Sequence, residues 1–208
     1  MNKRNSKKVN HSFQKALAIF RKNGGILRTS EVLRSGVHPQ TLYDLVKAGK
    51  LEKISRGVYC LPEKLPLENP DFVIVSKRIP KGVICLISAL AFYDLTREIP
   101  HEVYLALPQG AEEPRLDFPP LREFRFSEKS FTAGIELHIV DGIPIRIYSP
   151  EKTLADCFKF RNKIGLDTII EALRLYKERK KMNISKLLYF AEICRVSKVM
   201  QPYLEAIL

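Results

Sequence analysis

Four polar side chains on one predicted helix are of the types that recognise base edges in a nucleic-acid duplex. Gln40, Tyr43, Asp44 and Lys47 fall within roughly 100° of one another on a helix that turns by about 100° per residue. Glutamine pairs bidentately with adenine, aspartate accepts from cytosine, and tyrosine and lysine reach bases or phosphates. Thr41, at the margin, is placed to bond a phosphate. The spacing predicts a base-reading face of Gln40, Thr41, Tyr43, Asp44 and Lys47, although a merely solvated helix face has the same composition.

Three helices are predicted to position that face. Apolar residues recur at helical spacing over residues 13–20, which predicts the first helix. Thr29 or Ser30 is expected to cap a short second helix, because either hydroxyl can accept a backbone N–H at a helix start. His38-Pro39 begins the third helix and Gly49 ends it, following the preference for proline first and glycine last. This order is typical of a helix-turn-helix.

A predicted hairpin follows the third helix and forms a cationic wing. Residues 51–56 and 57–61 flank a turn at Ser55-Arg56-Gly57, which predicts two short antiparallel strands. Basic and hydroxyl side chains lie on the helix ends, the turns and the wing, where a duplex backbone would run. The predicted phosphate-contacting residues are Arg21, Lys22, Arg28, Ser30, Arg34, Lys50, Lys53 and Arg56.

The net positive charge of the chain is concentrated in the same segment. Residues 1–64 contain 14 Lys and Arg against 4 Asp and Glu, whereas the remaining residues contain 21 against 19. Because a duplex backbone is a dense row of negative charge, such a local excess is typical of nucleic-acid-binding surfaces. Charge and element order together predict binding of double-stranded DNA. Since one helix reads only a few base pairs, two or more protomers are expected on a DNA operator.

The other residue types do not indicate an enzyme. The four histidines are isolated, and the candidate carboxylates do not form the Asp…Glu-x-Lys spacing of a metal nuclease; these candidates are Asp94, Glu98, Glu102, Glu136 and Asp141. We therefore expect no catalytic residue, no metal and no cofactor, with a metal-dependent nuclease as the alternative. The four cysteines lie far apart among apolar residues, and we recognise no signal peptide or membrane-length apolar run. A cytoplasmic protein with reduced thiols and no membrane partner is expected.

The predicted fold class is α+β: an N-terminal winged helix-turn-helix domain, then a mixed α/β domain with a small sheet and C-terminal helices. We place the first domain at residues 1–66 and the second at 67–208. A flexible basic arm is expected at 1–10 and a proline-rich linker at 62–70. In the second domain we predict helices at 71–79 and 84–95, strands at 103–107 and around 124–126, a hairpin turning at Asp141-Gly142, and helices from residue 150 to the end.

Segments of both predicted domains resemble the AbiEi family of antitoxins. The wing strand Ser55-Arg56-Gly57-Val58-Tyr59 resembles the N-terminal domain of that family, and residues 87–95 resemble its central helix. The most specific likeness is Gly142-Ile143-Pro144-Ile145-Arg146 followed by Ser149-Pro150-Glu151-Lys152-Thr153-Leu154-Ala155-Asp156. The resemblance implies a transcriptional repressor of its own operon and an antitoxin of a type IV toxin–antitoxin (abortive infection, phage-defence) system. Its implied functional partner is a nucleotidyltransferase-type toxin, countered without a stable complex.

The run from Ser149 to Asp156 has two interpretations. Ser149 can cap a helix with Pro150 at its first position, so capping and packing explain the run without chemistry. Alternatively it contributes to a second basic surface, because residues 149–208 contain 12 basic against 7 acidic side chains. The candidate residues of that surface are Lys152, Lys159, Arg161 and Lys163. A further functional alternative is a DNA-tethered adaptor that binds a protein through Leu116, Phe118 and Leu121.

Overall fold

The computed structural model describes residues 3–179 and 182–207, and it describes side chains from residue 11 onward except that of Arg179. The chain divides into two compact units. The first unit comprises Met1–Pro80 and Ile139–Pro144, and the second comprises Lys81–His138 and Ile145–Leu208. The first unit thus extends beyond the predicted boundary at residue 66. It includes a helix after the proline-rich segment that packs on the strands of residues 26–28 and 58–60.

The first unit begins with three helices in the predicted order. They are α1 (Lys3–Lys22), α2 (Thr29–Arg34) and α3 (Pro39–Lys47). The start of the predicted flexible arm lies outside the described residues, and from Lys3 the backbone is helical. No proline or glycine interrupts residues 3–22, so nothing in the sequence stops the helix from extending toward the N-terminus.

A three-stranded sheet completes the winged helix. Its strands are β1 (Ile26–Arg28), β2 (Glu52–Ser55) and β3 (Val58–Cys60), in the order β1-β3-β2 with antiparallel pairing. The sequence predicted the β2–β3 wing but missed β1, because three residues are too short to show alternation. A 3₁₀ turn (Pro62–Lys64) and helix α4 (Pro70–Arg78) follow.

The core of the winged helix lies between the three helices and the wing. Ala16, Leu17 and Phe20 of α1 pack with Leu42 and Leu45 of α3, and all five are buried. Val32, Leu51, Tyr59 and Leu61 belong to the same cluster. One side of α3 is thereby fixed against the domain, and the opposite side faces outward.

A mixed five-stranded sheet forms most of its pairs within the second unit, and residues 139–144 of its hairpin are assigned to the first. The elements up to the hairpin are β4 (Val83–Ile84), α5 (Leu86–Phe92), β5 (Val103–Pro108), β6 (Leu121–Phe126), α6 (Glu128–Thr132), β7 (Ile135–Val140) and β8 (Ile143–Tyr148). The strand order is β6-β5-β4-β8-β7; β4 pairs antiparallel with β5 and parallel with β8, and β5 pairs parallel with β6. The helix predicted over 84–95 is wrong at its start: residues 83–84 form a strand and Leu86 has a positive φ of 48°. A continuous apolar run does not distinguish a buried strand from a buried helix.

Helices complete the second unit, as the sequence predicted. They are α7 (Pro150–Lys159), α8 (Arg161–Ile164), α9 (Leu166–Arg179), α10 (Ile184–Cys194) and α11 (Ser197–Ile207). Helix α7 is central, since it packs against α5, α9, α10 and α11. No helix in the described part of the chain is both long and apolar enough to cross a membrane. The predicted α+β class, with an N-terminal winged helix and C-terminal helices, is confirmed.

Candidate DNA-binding surface

The start and end of α3 are fixed by its own sequence. His38 is the N-cap, and its Nδ1 accepts the backbone N–H of Gln40 at 3.2 Å. Pro39 occupies the first helical position, where its missing N–H leaves no backbone group unpaired. Gly49 has a φ of 64° and lets the backbone N–H of Lys50 return to the carbonyl of Leu45 at 2.9 Å. The helix therefore begins and ends where the sequence predicted.

The outward side of α3 carries most of the predicted base-reading face. Gln40 and Lys47 are exposed, Tyr43 is 63% exposed and Asp44 is half-buried. Gln40 Nε2 donates to Asp44 Oδ1 at 2.9 Å, one helical turn away. Thr41 does not belong to this face, because its side chain is only 9% exposed and turns toward the core. Its predicted position was the margin of the face, where a helix rotation smaller than the roughly 100° per residue decides whether a side chain turns inward or outward.

The Gln40–Asp44 hydrogen bond determines what the glutamine presents to a ligand. A primary amide has two N–H donors and one carbonyl acceptor. Asp44 occupies one donor, which leaves the second donor and the carbonyl oxygen of Gln40 for a ligand. This donor–acceptor pair is the pattern that adenine matches in the major groove.

The wing is held to the helices through its turn. Gly57 has a φ of 74°, and its carbonyl accepts the backbone N–H of Thr29 at 2.9 Å. The carbonyl of Arg56 accepts a hydrogen bond from the guanidinium of Arg78, at the end of α4. Arg56 and Lys53 project from this turn and strand as exposed cations. Arg78 is absent from the predicted wing because the predicted boundary at residue 66 leaves α4 in the second domain.

The other predicted phosphate-contacting residues differ in their exposure and in the contacts that their side chains already make. Lys22, Ser30 and Lys50 are exposed, and the side chain of Arg34 is exposed while its Nε donates to the carbonyl of Ser30 at 3.2 Å. Arg21 lies 3.8 Å from Glu63 in an open ion pair. Such exposed pairs stabilise a fold by about 0–1 kcal/mol, so a phosphate can replace the carboxylate at little cost.

Arg28 and the start of α2 differ from the prediction. Arg28 is half-buried and is itself the N-cap residue of α2, so neither Thr29 nor Ser30 takes that position. The backbone N–H of Arg28 donates to Glu31 Oε2 at 2.7 Å, which fixes the first turn. Glu31 also pairs with Lys77 at 3.4 Å, so the carboxylate is occupied within the domain.

The prediction of a second basic surface is wrong for Lys152, which does not lie at the surface. Lys152 is fully buried, and its Nζ lies 2.5 Å from Asp156 Oδ2 and 4.2 Å from the ring centre of Tyr148. The i,i+4 spacing brings the two charges together, and burial between α7 and its neighbours removes both from solvent. Asp156 Oδ1 also accepts from Cys194 Sγ at 3.1 Å.

The three remaining members lie nearer the surface, beside aromatic rings. Lys163 is exposed, and Lys159 and Arg161 are half-buried. Lys159 Nζ lies 5.4 Å from the ring centre of Phe126, and Lys163 Nζ lies 5.6 Å from that of Phe124. Ser149 caps α7 as predicted, because its hydroxyl accepts the backbone N–H of Lys152 at 3.3 Å. The capping-and-packing interpretation thus accounts for the contacts that Ser149, Lys152 and Asp156 make.

A second polar cluster in the same unit was not predicted. Tyr93 Oη donates to Glu136 Oε2 at 3.2 Å and lies 2.9 Å from His138 Nε2. Lys186 Nζ bridges Glu136 Oε1 at 3.4 Å and Glu151 Oε2 at 3.2 Å. One weak sequence signal could have indicated it, the alternation of Glu136 and His138 on a single strand face. Among the described residues, no group of three His, Cys, Asp or Glu side chains could hold a metal ion.

The protonation states in this cluster are fixed by burial and hydrogen bonding. Burial and the nearby Glu136 carboxylate raise the pKa of Tyr93 well above its usual range. Burial and a 2.7 Å hydrogen bond to Glu151 Oε1 raise the pKa of Tyr176 to about 12. Burial acts to raise the pKa of Glu151, but hydrogen bonds from Tyr176 and Lys186 outweigh it, so that pKa lies below its usual value. Both tyrosines therefore remain donors and Glu151 remains an acceptor at neutral pH.

Comparison with known proteins finds a family match within the first unit. None of the curated proteins searched matches the chain. Among solved structures, the crystal structure of RV2827C protein from Mycobacterium tuberculosis is similar at 10% identity and a TM-score of 0.49, over 94% of this chain and 81% of that one. Residues 14–62 match the sequence profile of a family described as "Transcriptional regulator, AbiEi antitoxin". These residues span most of the winged helix, including α3 and the wing. The resemblance found in the sequence is thereby confirmed for this segment, which matches the family of AbiEi antitoxin transcriptional regulators.

Proposed function

We propose that the chain represses transcription of its own operon by binding a double-stranded operator through α3 and the wing. The observation that carries this proposal is the outward face of α3. It presents Gln40, Tyr43 and Lys47 from a helix whose opposite side is locked into the core. A helix-turn-helix places this side of its recognition helix in the major groove. The surrounding excess of cations supplies the phosphate attraction.

Within this function, Gln40 reads a base, and Asp44 orients the amide of Gln40. The 2.9 Å hydrogen bond holds the amide of Gln40 before DNA arrives, which reduces the entropy lost on binding. We expect Gln40→Ala to lower discrimination between operator and mutated operator by about 1–3 kcal/mol, the range of one bidentate base contact. Asp44→Ala is expected to relax the preference at the same base pair, because the amide of Gln40 is then free to rotate.

We further propose that the chain is the antitoxin of a type IV toxin–antitoxin system, acts in the cytoplasm and counters a nucleotidyltransferase-type toxin without forming a stable complex. The support is the description of the matching family as antitoxin and regulator. The same description supports a protein that acts by binding and not by catalysis. Co-expression with the product of the adjacent gene tests the antitoxin role: growth arrest relieved by this chain supports it, and arrest unchanged by this chain contradicts it.

The operator proposal is tested by fluorescence anisotropy with upstream DNA of the operon and with scrambled DNA. Lys53→Ala and Arg56→Ala should weaken binding to both DNAs similarly and reduce the slope of log affinity against log salt by about one. Lys198→Ala, which removes an exposed cation from α11, is the matched control and should change neither. If a variant with alanine at positions 40, 43, 44 and 47 binds and discriminates like the unmodified protein, α3 is not the reading helix.

A further inference from the structure

Strand β7 is an open edge of the five-stranded sheet. It is the last strand in the order β6-β5-β4-β8-β7, and in the described part of the chain no other strand pairs with its outer side. Leu137 is 71% exposed and Ile139 is 72% exposed, on the same face of the strand. Natural edge strands are protected by lysine, proline, a bulge or an inward-pointing charge. The sequence of β7, IELHIV, contains no lysine or proline, and its one acidic side chain, Glu136, already pairs with Lys186 at 3.4 Å, so the edge is suited to pairing with another strand.

The turn of the hairpin determines which backbone groups face outward. Asp141 and Gly142 have φ values of 52° and 79°, which is typical of a two-residue type I′ turn. In such a hairpin, Val140 and Ile143 form a hydrogen-bonded pair, and the pattern alternates from there. The N–H and C=O groups of Ile135, Leu137 and Ile139 therefore point away from β8. The exposed side chains of Leu137 and Ile139, and the half-buried side chain of Ile135, belong to the residues whose backbone groups point outward.

We propose that β7 pairs antiparallel with β7 of a second copy of this chain, about a two-fold axis that passes through Leu137. Only odd-numbered residues offer outward backbone groups, so the two-fold axis can pass through residue 136, 137 or 138. An axis through 136 places Glu136 against Glu136, and one through 138 places His138 against His138. The axis through Leu137 places the carboxylate of Glu136 against the imidazole of His138 in the second copy, at both ends of the pair.

The same register completes the apolar face. Leu137 lies opposite Leu137 of the second copy, and Ile135 lies opposite Ile139, so six apolar side chains form one continuous patch across the two copies. Apolar cross-strand pairs of this kind stabilise a sheet. In each copy His138 Nε2 already lies 3.5 Å from Glu136 Oε2. The paired strands therefore bring together four groups that alternate between carboxylate and imidazole.

The interface is small, so the dimer is weak. Three apolar side chains and one strand edge per copy are less than the roughly 800 Å² per partner of a typical stable complex. We expect association in the micromolar range, without DNA. The proposal rests on β7 alone and is independent of DNA binding, so its test contains no DNA.

Disulfide trapping tests the register. Directly opposed residues in a hydrogen-bonded pair have Cα atoms about 5.5 Å apart, within the range that a disulfide spans. Leu137→Cys should cross-link to itself under mild oxidation, and a mixture of Ile135→Cys and Ile139→Cys should give a heterodimer. Ile139→Cys alone is the matched control. In the proposed register, position 139 of one copy lies opposite position 135 of the other, so the two introduced thiols are offset by four residues, about 14 Å along the strands. The four native cysteines are buried and do not compete.

Sedimentation velocity of the full chain provides the second measurement. The unmodified protein should show a concentration-dependent dimer, and Leu137→Lys, which places like charges opposite each other, should be monomeric. Ile99→Lys, at an apolar position that is 80% exposed and outside β7, should behave as the unmodified protein. A protein that remains monomeric up to millimolar concentration overturns the proposal. Equal cross-linking of Leu137→Cys and Ile139→Cys overturns the register, and a dimer unaffected by Leu137→Lys overturns the interface.

Discussion

The buried pair of Lys152 and Asp156 yields the sharpest stability prediction. Both side chains are fully buried, and their charged atoms are 2.5 Å apart. Removing one partner of such a pair costs about 3–5 kcal/mol, because the other charge is left without compensation. A domain is stable by only about 5–15 kcal/mol, so either single replacement removes a large share. Replacing both partners by apolar residues of similar volume is often neutral or stabilising by about 1–4 kcal/mol.

The two single variants should respond to pH in opposite directions. Burial already raises the pKa of Asp156, against the lowering effect of Lys152 and Cys194. In Lys152→Met this pKa rises further, so the folded state is most stable at low pH and loses stability as pH rises through the folded pKa. In Asp156→Leu the unpaired ammonium favours its neutral form, so stability is lost as pH falls. The ring of Tyr148, 4.2 Å from Nζ, offsets part of that loss by about 2 kcal/mol.

Urea unfolding followed by far-ultraviolet circular dichroism, at several pH values, measures these effects. The matched control is the double variant Lys152→Met with Asp156→Leu, which should unfold within about 1 kcal/mol of the unmodified protein or above it. Equal pH slopes in the two single variants would refute the reasoning. A double variant as unstable as the sum of the singles would refute it as well, since the pair would then contribute independent packing and not mutual compensation.

Three further predictions concern the second unit and the thiols. In Glu151→Gln the free energy of unfolding should fall less steeply in acid than in the unmodified protein. The reason is that the pKa of Glu151 is lowered in the folded state, so the stability that its carboxylate contributes is lost as pH falls below about 4.3. Urea midpoints that fall equally steeply with pH in both proteins would contradict this. Gly134→Ala should lower the free energy of unfolding by about 2 kcal/mol or more, since φ is 73° and the new methyl would lie 2.7 Å from Lys152 Cβ. Gly110→Ala, also at positive φ but with open space around it, measures the cost of the backbone conformation alone. Equal losses of stability in the two variants would show that the contact with Lys152 adds nothing. Maleimide should not label the folded protein at neutral pH, because burial raises the pKa of Cys60 to about 11 and that of Cys194 to about 12. Rapid labelling seen by mass spectrometry would show that these thiols are accessible.

The sequence predicted best those elements whose signals are local. Pro39 and Gly49 mark the two ends of α3, and Asp141-Gly142 marks the hairpin turn, because each of these residues acts through its own backbone geometry. The partition of α3 into a core side and an outward side follows equally from residue spacing. Only Thr41 falls on the wrong side, and it lies at the boundary between the two.

The elements that the sequence did not predict depend on partners far away in the chain. β1 is a strand only because β3 pairs with it, more than thirty residues later. β4 is likewise formed by pairing with β5 and β8, within an apolar run that also suits a helix. The carbonyl of Arg56 is bound by Arg78, which no local pattern connects to the wing. Pairing and anchoring of this kind are decided by tertiary contacts, which periodicity does not report.

Lys152 shows why charge alone is a poor guide to a binding surface. In the sequence it stands in a basic segment beside Lys159, Arg161 and Lys163, and composition favours a solvated cationic patch. Its position one helical turn before Asp156 permits the opposite outcome, an ion pair that both residues can carry into the core. The cations of α3 and the wing differ in this respect: Lys47, Lys53 and Arg56 are exposed. Exposure combined with charge, and not charge alone, distinguishes the proposed DNA-binding surface from the buried motif of the second unit.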